Sequence, residues 1–511
     1  MQLLLSPRGC NQYSQFRKFF THKIPLFDIE KIIYKWLRRL YNLEIKNPTI
    51  SFFEVVVMEN TLTSGSPMKL ILRFSFPILL GMLFQQFYNL VDTIIVGQLL
   101  GANALAAVGS TGAINFLVLG FCMGICSGFS IPVAQKIGAK DNSSMRRYVM
   151  NGVYLSAIFT LVITVVTAVF CEDFLRLTQT PEDIFADAYR YIFIIFLGIP
   201  GSILYNYLSS TIRALGDSKT PVYFLALSAF LNIFLDIALI LWFQAGVAGA
   251  AIATIASQLI AGIACLFFMI KRFPILKTTR DERKISGHHC IRLCYIGIPM
   301  GLQYSITAIG SIILQTAINT LGSTYVAAVT AGGKLFQLLC APMDSLGSTM
   351  AIYSGQNAGA AEFGRLRRGL LDSSLLGLGY SIFAYVLMYF FSRQGAMLFL
   401  NPQEPNLQQL IELVDRYILI LTAFFFPLSL ILGLRFSIQG MGFSVLAMSA
   451  GLMELVGRAI VALGFVPIFG YDAACYASPV AWVMADLFLI PGSILCVRTL
   501  EKRHKEKNSL S

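Results

Sequence analysis

Residues 134–147 read AQKIGAKDNSSMRR, and residues 355–368 read GQNAGAAEFGRLRR, at an offset of 221 positions. Gln135/Gln356, Gly138/Gly359, Ala139/Ala360, Arg146/Arg367 and Arg147/Arg368 are identical pairs. At the same offset GANALAAV (101–108) faces GSTYVAAV (322–329), and Phe76-Pro77 faces Ile298-Pro299 at an offset of 222. Agreement this dense, in this order, marks an internally duplicated chain. Between the landmarks the sequence is almost continuously apolar. The duplicated unit is therefore a set of membrane helices.

A membrane-spanning helix needs about 20 mostly apolar residues. Twelve runs qualify: 69–98, 104–135, 147–170, 186–212, 220–243, 247–270, 291–320, 325–356, 369–392, 410–437, 443–468 and 473–497. They are too long for β-barrel strands and do not alternate as such strands do. The longest predict tilt, or extension beyond the bilayer. Composition agrees. Of 511 residues 56% are apolar and 13% charged, against about 45–50% and 25% in soluble proteins. That excludes an ordinary soluble enzyme, a disordered chain and a fibrous one. The net charge of +12 sits at the two ends and in short loops. It forms no basic stripe with interleaved aromatics, so nucleic acid is not an expected partner.

The gaps alternate in charge. One set carries Lys136, Lys140, Arg146 and Arg147; Arg213 and Lys219; the basic stretch from Lys271 to Lys284; and Arg365, Arg367 and Arg368. The other set is poor in Lys and Arg, and 171–185 is acidic. The positive-inside rule puts the basic set and both termini in the cytoplasm. Each half then starts on the same side, so an axis along the membrane normal relates the two. The expected organisation is a cytoplasmic extension 1–68, a first six-helix lobe 69–270, a cytoplasmic linker 271–290, a second six-helix lobe 291–497 and a basic cytoplasmic tail 498–511. Within the extension, 28–43 predicts a basic amphipathic helix on an anionic membrane surface. No secretory signal is present. MENTLTSGSPMKLILRF (58–74) reads as an ordinary lead into the first span, so Met58 is the expected translation start.

No G-x-x-x-x-G-K-[ST] motif occurs, so ATP is not the expected energy source. The histidines, His22, His288, His289 and His504, all lie outside the predicted spans, which leaves intramembrane hydrolysis without its usual parts. The ten cysteines sit mostly inside apolar runs and read as small packing residues rather than a metal site. A charged side chain in hydrocarbon is costly and marks function. The prominent intramembrane carboxylates are Asp92, Asp236, Asp344 and Glu454. Asp92 has no Lys or Arg within one helical turn. Asn232 and Asp236 are four apart and share a helix face. With Asp92 they make three oxygen-bearing side chains in one lobe; Thr254 adds a hydroxyl and Ala250 a backbone carbonyl. Such an oxygen shell suits a hard monovalent cation, and the same groups equally suit a proton relay or helix-to-helix hydrogen bonding. At offset 222 Asn232 faces Glu454 and Asp236 faces Arg458. A carboxylate four residues before an arginine is already neutralised, so Glu454–Arg458 reads as a structural or gating pair. Gln85, Tyr88 and Asp92 share a side of the first span and, with Asn206, are candidates for a substrate cavity. Pro77 favours a bend in that span. Lys334 and Asp344 could pair or touch substrate.

The motifs NLVDTIIVGQLLGANALAAVG (89–109), PVAQKIGAKD (132–141), RALGDSKTPV (213–222), LNIFLDIALI (231–240), GVAGAAIAT (246–254) and GQNAGA (355–360) together resemble the multidrug and toxic compound extrusion (MATE) family, over about residues 65–500. GQNAGA and GDSKTP most resemble bacterial members. The resemblance implies an all-α polytopic membrane protein: twelve transmembrane helices in two pseudo-symmetric six-helix lobes arranged as a V. It implies a monomer in the bacterial cytoplasmic membrane that exports organic, often cationic, compounds in exchange for Na⁺ or H⁺, with no cofactor. The family's cation site matches Asp92, Asn232, Asp236 and Thr254 with the Ala250 carbonyl. Its cavity positions match Gln85, Tyr88 and Asn206, and its bending proline matches Pro77. Some members carry a Glu in the seventh helix; here GIPMGLQYSITAIGSIIL (297–314) has no carboxylate. A lipid-linked oligosaccharide flippase of the same superfamily is the alternative function.

Overall fold

A computed structural model describes residues 62–178, 180–400 and 406–509. The segment 28–43 and the Met58 start lie outside the described residues. The described residues belong to one compact unit. Its first half runs α1 (Pro67–Leu100), a short α2 (Ala102–Ser110), α3 (Gly112–Gly138), α4 (Asn142–Val169), a short α5 (Cys171–Leu177), α6 (Glu182–Leu197), α7 (Ile199–Ala214), α8 (Thr220–Ile237) and α9 (Gly246–Arg272). The second half runs α10 (Gly287–Asn319), α11 (Ser323–Gly359), α12 (Phe363–Met397), α13 (Leu407–Ala423), α14 (Phe425–Gly440), α15 (Ser444–Ile460), a one-turn α16 (Val466–Phe469) and α17 (Tyr471–Ser509). No strand occurs among the described residues.

Among the described residues, ten helices are long and apolar enough to cross a membrane, and counting two bent pairs as one span each gives twelve. The bent pairs are α6 with α7, at 46°, and α13 with α14, at 49°. They correct the predicted unbroken runs 186–212 and 410–437. Both bends are followed at once by a proline, Pro200 and Pro427, which removes a backbone donor and favours a new helical start. Gly198 at the first bend also lets α7 approach α9: a Cβ there would stand 2.2 Å from Ile255. The predicted run 104–135 likewise divides, at Thr111, into α2 and α3. By contrast α1 continues through Pro77, and α10 through Pro299, as single helices.

The duplication extends to local geometry. α8 is continued by the π-helical segment Ala238–Trp242, and α15 by Val461–Phe465. Lys140 and Ala361, 221 apart, both adopt left-handed backbone, with φ of 56° and 57°.

The halves meet along α3 and α10, which pack backbone to backbone. A Cβ on Gly124 would lie 2.5 Å from the Met300 carbonyl oxygen, and one on Gly128 would lie 2.4 Å from Gly297 Cα. Small residues make such approach possible and tight packing gives it strength. At the ends that carry the basic loops, the repeat motifs clasp each other reciprocally. A Cβ on Gly138 would stand 1.8 Å from the Gln356 carbonyl oxygen, and one on Gly359 would stand 1.8 Å from that of Gln135. The Gln135 amide donates to the Gly440 carbonyl at 2.8 Å, and the Gln356 amide to the Ala214 carbonyl at 2.9 Å. Gln356 also accepts from the Leu62 N–H at 2.8 Å, while Arg365 donates to the Gly65 and Leu62 carbonyls. The chain entering α1 is thus tied to the second half. Ile71, Phe74 and Ile78 of α1 bury there against Leu346, Met350 and Tyr353 of α11.

Part of the linker is stapled to α4. Glu282, 4% exposed, accepts from Arg146, Ser143 and the Thr279 N–H. These donors hold its carboxyl far below the usual carboxylate range, the Arg146 side chain first among them.

Candidate functional site

Helix α8 places two polar residues on one face. Asn232 is 1% exposed, and Asp236, one turn later, is fully buried. Their helix is mostly apolar, so neighbouring helices must help to satisfy both. The Asn232 amide is assigned with its nitrogen donating to Asp236 Oδ2 at 3.1 Å and its oxygen accepting from the Thr254 N–H of α9 at 3.2 Å. Thr254 Oγ1 donates to the Ala250 carbonyl at 3.1 Å.

From α1, Asp92 reaches the same point. Its carboxyl and that of Asp236 lie within hydrogen-bonding range of each other. Each keeps one buried Oδ1 without a partner among the described residues. The Tyr88 hydroxyl, one turn before Asp92, approaches the Thr254 side chain. Tyr191 of α6, 7% exposed, lies in electrostatic range of both carboxylates. Among the described residues, no lysine or arginine acts on either carboxylate. Two acid groups therefore face each other in apolar surroundings with two spare oxygens and no fixed cation. Both cannot be ionised there without a positive partner, because like charges at contact distance in low dielectric repel strongly. One proton or one monovalent metal ion bound between the oxygens removes that conflict. Five residues proposed from sequence (Asp92, Asn232, Asp236, Thr254 and Ala250) are brought together, and Tyr88 joins them.

The other proposed residues lie elsewhere. Asn206 spends its amide on the Ser202 carbonyl of its own helix, at 2.8 Å. A cleft of 510 Å³ runs between α1 and α11, lined by Leu80, Leu83, Phe84, Gln86, Phe87 and Leu338, among others. Gln86, rather than Gln85, reaches it; Tyr88 and Asp92 turn the other way, toward α8 and α9. Lys334 and Asp344 do not pair, since α11 is continuous between them and ten residues of helix separate them by about 15 Å.

The second half holds a different polar cluster. Glu454 accepts from Arg458 at 2.6 Å and from Arg435 of α14 at 2.7 Å. All three side chains are under 10% exposed. Asp486 of α17, 6% exposed, lies in electrostatic range of Arg435 and Glu454. The Glu454–Arg458 contact is as expected from spacing. Arg435 and Asp486 were not singled out from sequence, although an arginine in the run 410–437 and an aspartate in 473–497 were visible signals.

A sequence model of the MatE family matches residues 77–238 and 299–463, one stretch in each half. The chain belongs to the MatE family. It is 32% identical over 338 residues to the probable multidrug resistance protein YoeA of Bacillus subtilis (strain 168), covering 65% of this chain and 73% of that one. It is 30% identical over 398 residues to the probable multidrug resistance protein YpnP of the same organism, covering 77% and 85%. A crystal structure of MATE in complex with MaL6 shares the fold, with a TM-score of 0.80 at 21% identity, over 89% of this chain and all of that one. This MatE protein is therefore a multi-pass membrane protein of a multidrug efflux transporter family.

Proposed function

We propose that this MatE protein is a secondary active antiporter that exports organic, often cationic, compounds in exchange for Na⁺ or H⁺ by alternating access. The observation that carries the proposal is the Asp92–Asp236 pair: two buried carboxylates in contact range with spare oxygens and, among the described residues, no basic partner. An incoming cation neutralises the pair. Cation and substrate then drive transport by preferring different conformations, or by competing for one. The reciprocal glycine and glutamine clasp closes the side assigned to the cytoplasm, and must open for substrate to enter. Pro77 gives α1 a place to bend when the pair is neutralised. The protein works as a monomer in the bacterial cytoplasmic membrane, with both termini inside and without ATP.

The test is efflux of a cationic fluorescent dye from energised inverted vesicles, with Na⁺ and proton gradients imposed separately. Dye movement under one gradient and not the other supports antiport and identifies the ion. Failure of several dyes under both gradients overturns drug export and makes a lipid-linked flippase the reading to test.

A further inference from the structure

Away from the transport machinery, a groove of 570 Å³ opens on the outer surface between α12, α14 and α17. Its walls are apolar, with Leu371, Leu430, Ile490 and Ile494 among them. Leu371 is 62% and Ile494 50% exposed. Two serines line it, and each donates to a carbonyl of its own helix: Ser374 to Leu370 at 2.9 Å and Ser493 to Ile490 at 2.8 Å. The walls therefore offer no free donor, which suits a hydrocarbon chain rather than a polar solute.

The end of the groove is different. Arg367 and Arg498 stand there, on α12 and α17. Arg367 pairs with Glu501 at 2.8 Å across the two helices. Among the described residues, Arg498 has no ion-pair partner. Two cations and one carboxylate leave one uncompensated positive charge at the mouth. The distance from Arg498 to Ile490 is eight helical residues, about 12 Å. That is the depth of part of one leaflet. α17 continues past Arg498 as helix to Ser509 and carries Lys502, Arg503 and Lys505. A basic cluster directly outside a spanning helix is the pattern that anionic lipid surfaces attract.

We propose that this groove is a binding site for an anionic phospholipid. The phosphodiester meets Arg498 and Arg367, and one acyl chain lies along the apolar wall. The lipid carries the single negative charge that the mouth lacks. The site lies in the leaflet that the charge pattern assigns to the cytoplasm.

The test uses the purified full-length protein and native mass spectrometry, with phosphatidylglycerol and phosphatidylcholine of identical acyl chains. Wild type is expected to retain phosphatidylglycerol over phosphatidylcholine by about fivefold, the worth of one basic residue at an anionic surface. Arg498→Ala should remove that preference. Arg503→Ala, on the same helix but stacked on Phe443 at 5.7 Å, should keep it. Ser374→Trp fills the groove with both arginines intact, and should reduce retention of both lipids. Equal retention of the two lipids by wild type overturns the proposal. So does equal loss in Arg498→Ala and Arg503→Ala, which means diffuse attraction. Displacement of the lipid by glycerol 3-phosphate alone would mean an anion site with no role for the groove, and also overturns it.

Discussion

The first half buries Asp92 and Asp236 together with no cation of its own, whereas the second buries Glu454 between Arg435 and Arg458. The backbone around the two clusters is duplicated, down to the π-helical segment after each central helix. What differs is charge balance. The second cluster brings its own positive charges to Glu454, although Arg435 Nε and Asp486 Oδ1 stay without a hydrogen-bond partner among the described residues. The first has no positive charge of its own among the described residues, and under the proposed function a mobile cation supplies it. Duplication thus supplied two similar frames, and side-chain substitution gave one a set of ion pairs and the other a pair of facing acids.

The comparison breaks most visibly through stability. Glu454→Gln strands two buried guanidinium groups, and is expected to cost about 3–5 kcal/mol, read as the thermal midpoint of the purified protein. Asp236→Asn removes an uncompensated acid, so the same measurement should show no loss. Equal destabilisation by both would mean that the two clusters are alike.

Transport sharpens the contrast next. Asp236→Asn is expected to lower gradient-driven dye efflux on the order of 10- to 100-fold, the usual size of a coupling effect. The double variant Asn232→Glu with Asp236→Arg copies the residues at positions 454 and 458 into the first half. It should fold and export nothing against a gradient. If it transports normally, charge balance is not what separates the halves.

Smaller effects are expected where the halves are alike. Gly138→Ala and Gly359→Ala each drive a methyl into a partner carbonyl, and should weaken the closed clasp by about 1–3 kcal/mol. The loss should be similar in both, measured as faster labelling of a cysteine placed at Ala214. Opposite results in the two variants would contradict a reciprocal clasp.

The smallest is a pH effect outside the membrane. Glu282 has a depressed pKa in the fold, so its contribution is present above the unfolded value of about 4.3 and is lost only as pH falls through the lower folded value. Proteolysis of the linker should be unchanged from pH 7 to 5 and rise only in stronger acid. Glu282→Gln should raise it at every pH, and linker cleavage that already rises near pH 6 would argue against the staple.

Much of this was legible in sequence because it rests on local or periodic signals. The repeat at 134–147 and 355–368 located the clasp residues, though not that they cross and meet. Helical spacing put Asn232 beside Asp236 and Glu454 beside Arg458. What escaped depends on neighbours that sequence separation hides. Arg435 lies 19 residues before Glu454 and Asp486 lies 32 after it; only packing of α14, α15 and α17 unites them. Tyr191 comes into electrostatic range of the acid pair in the same way, from α6. The bends at Gly198 and Phe424 were masked by continuous apolar runs, since hydropathy does not register where a helix restarts. That Gln86 and not Gln85 lines the cleft beside α11 shows how far one position turns a side chain, about 100° around a helix.

The most direct test of the central claim compares wild type, Asp92→Asn and Glu454→Asp in one proteoliposome preparation, scoring dye efflux and the counter-movement of the coupling ion together. Glu454→Asp keeps the charge, so its transport should stay near wild type. Asp92→Asn should lose ion movement and dye efflux in step. Ion-coupled efflux that persists in Asp92→Asn at the wild-type rate would contradict the account.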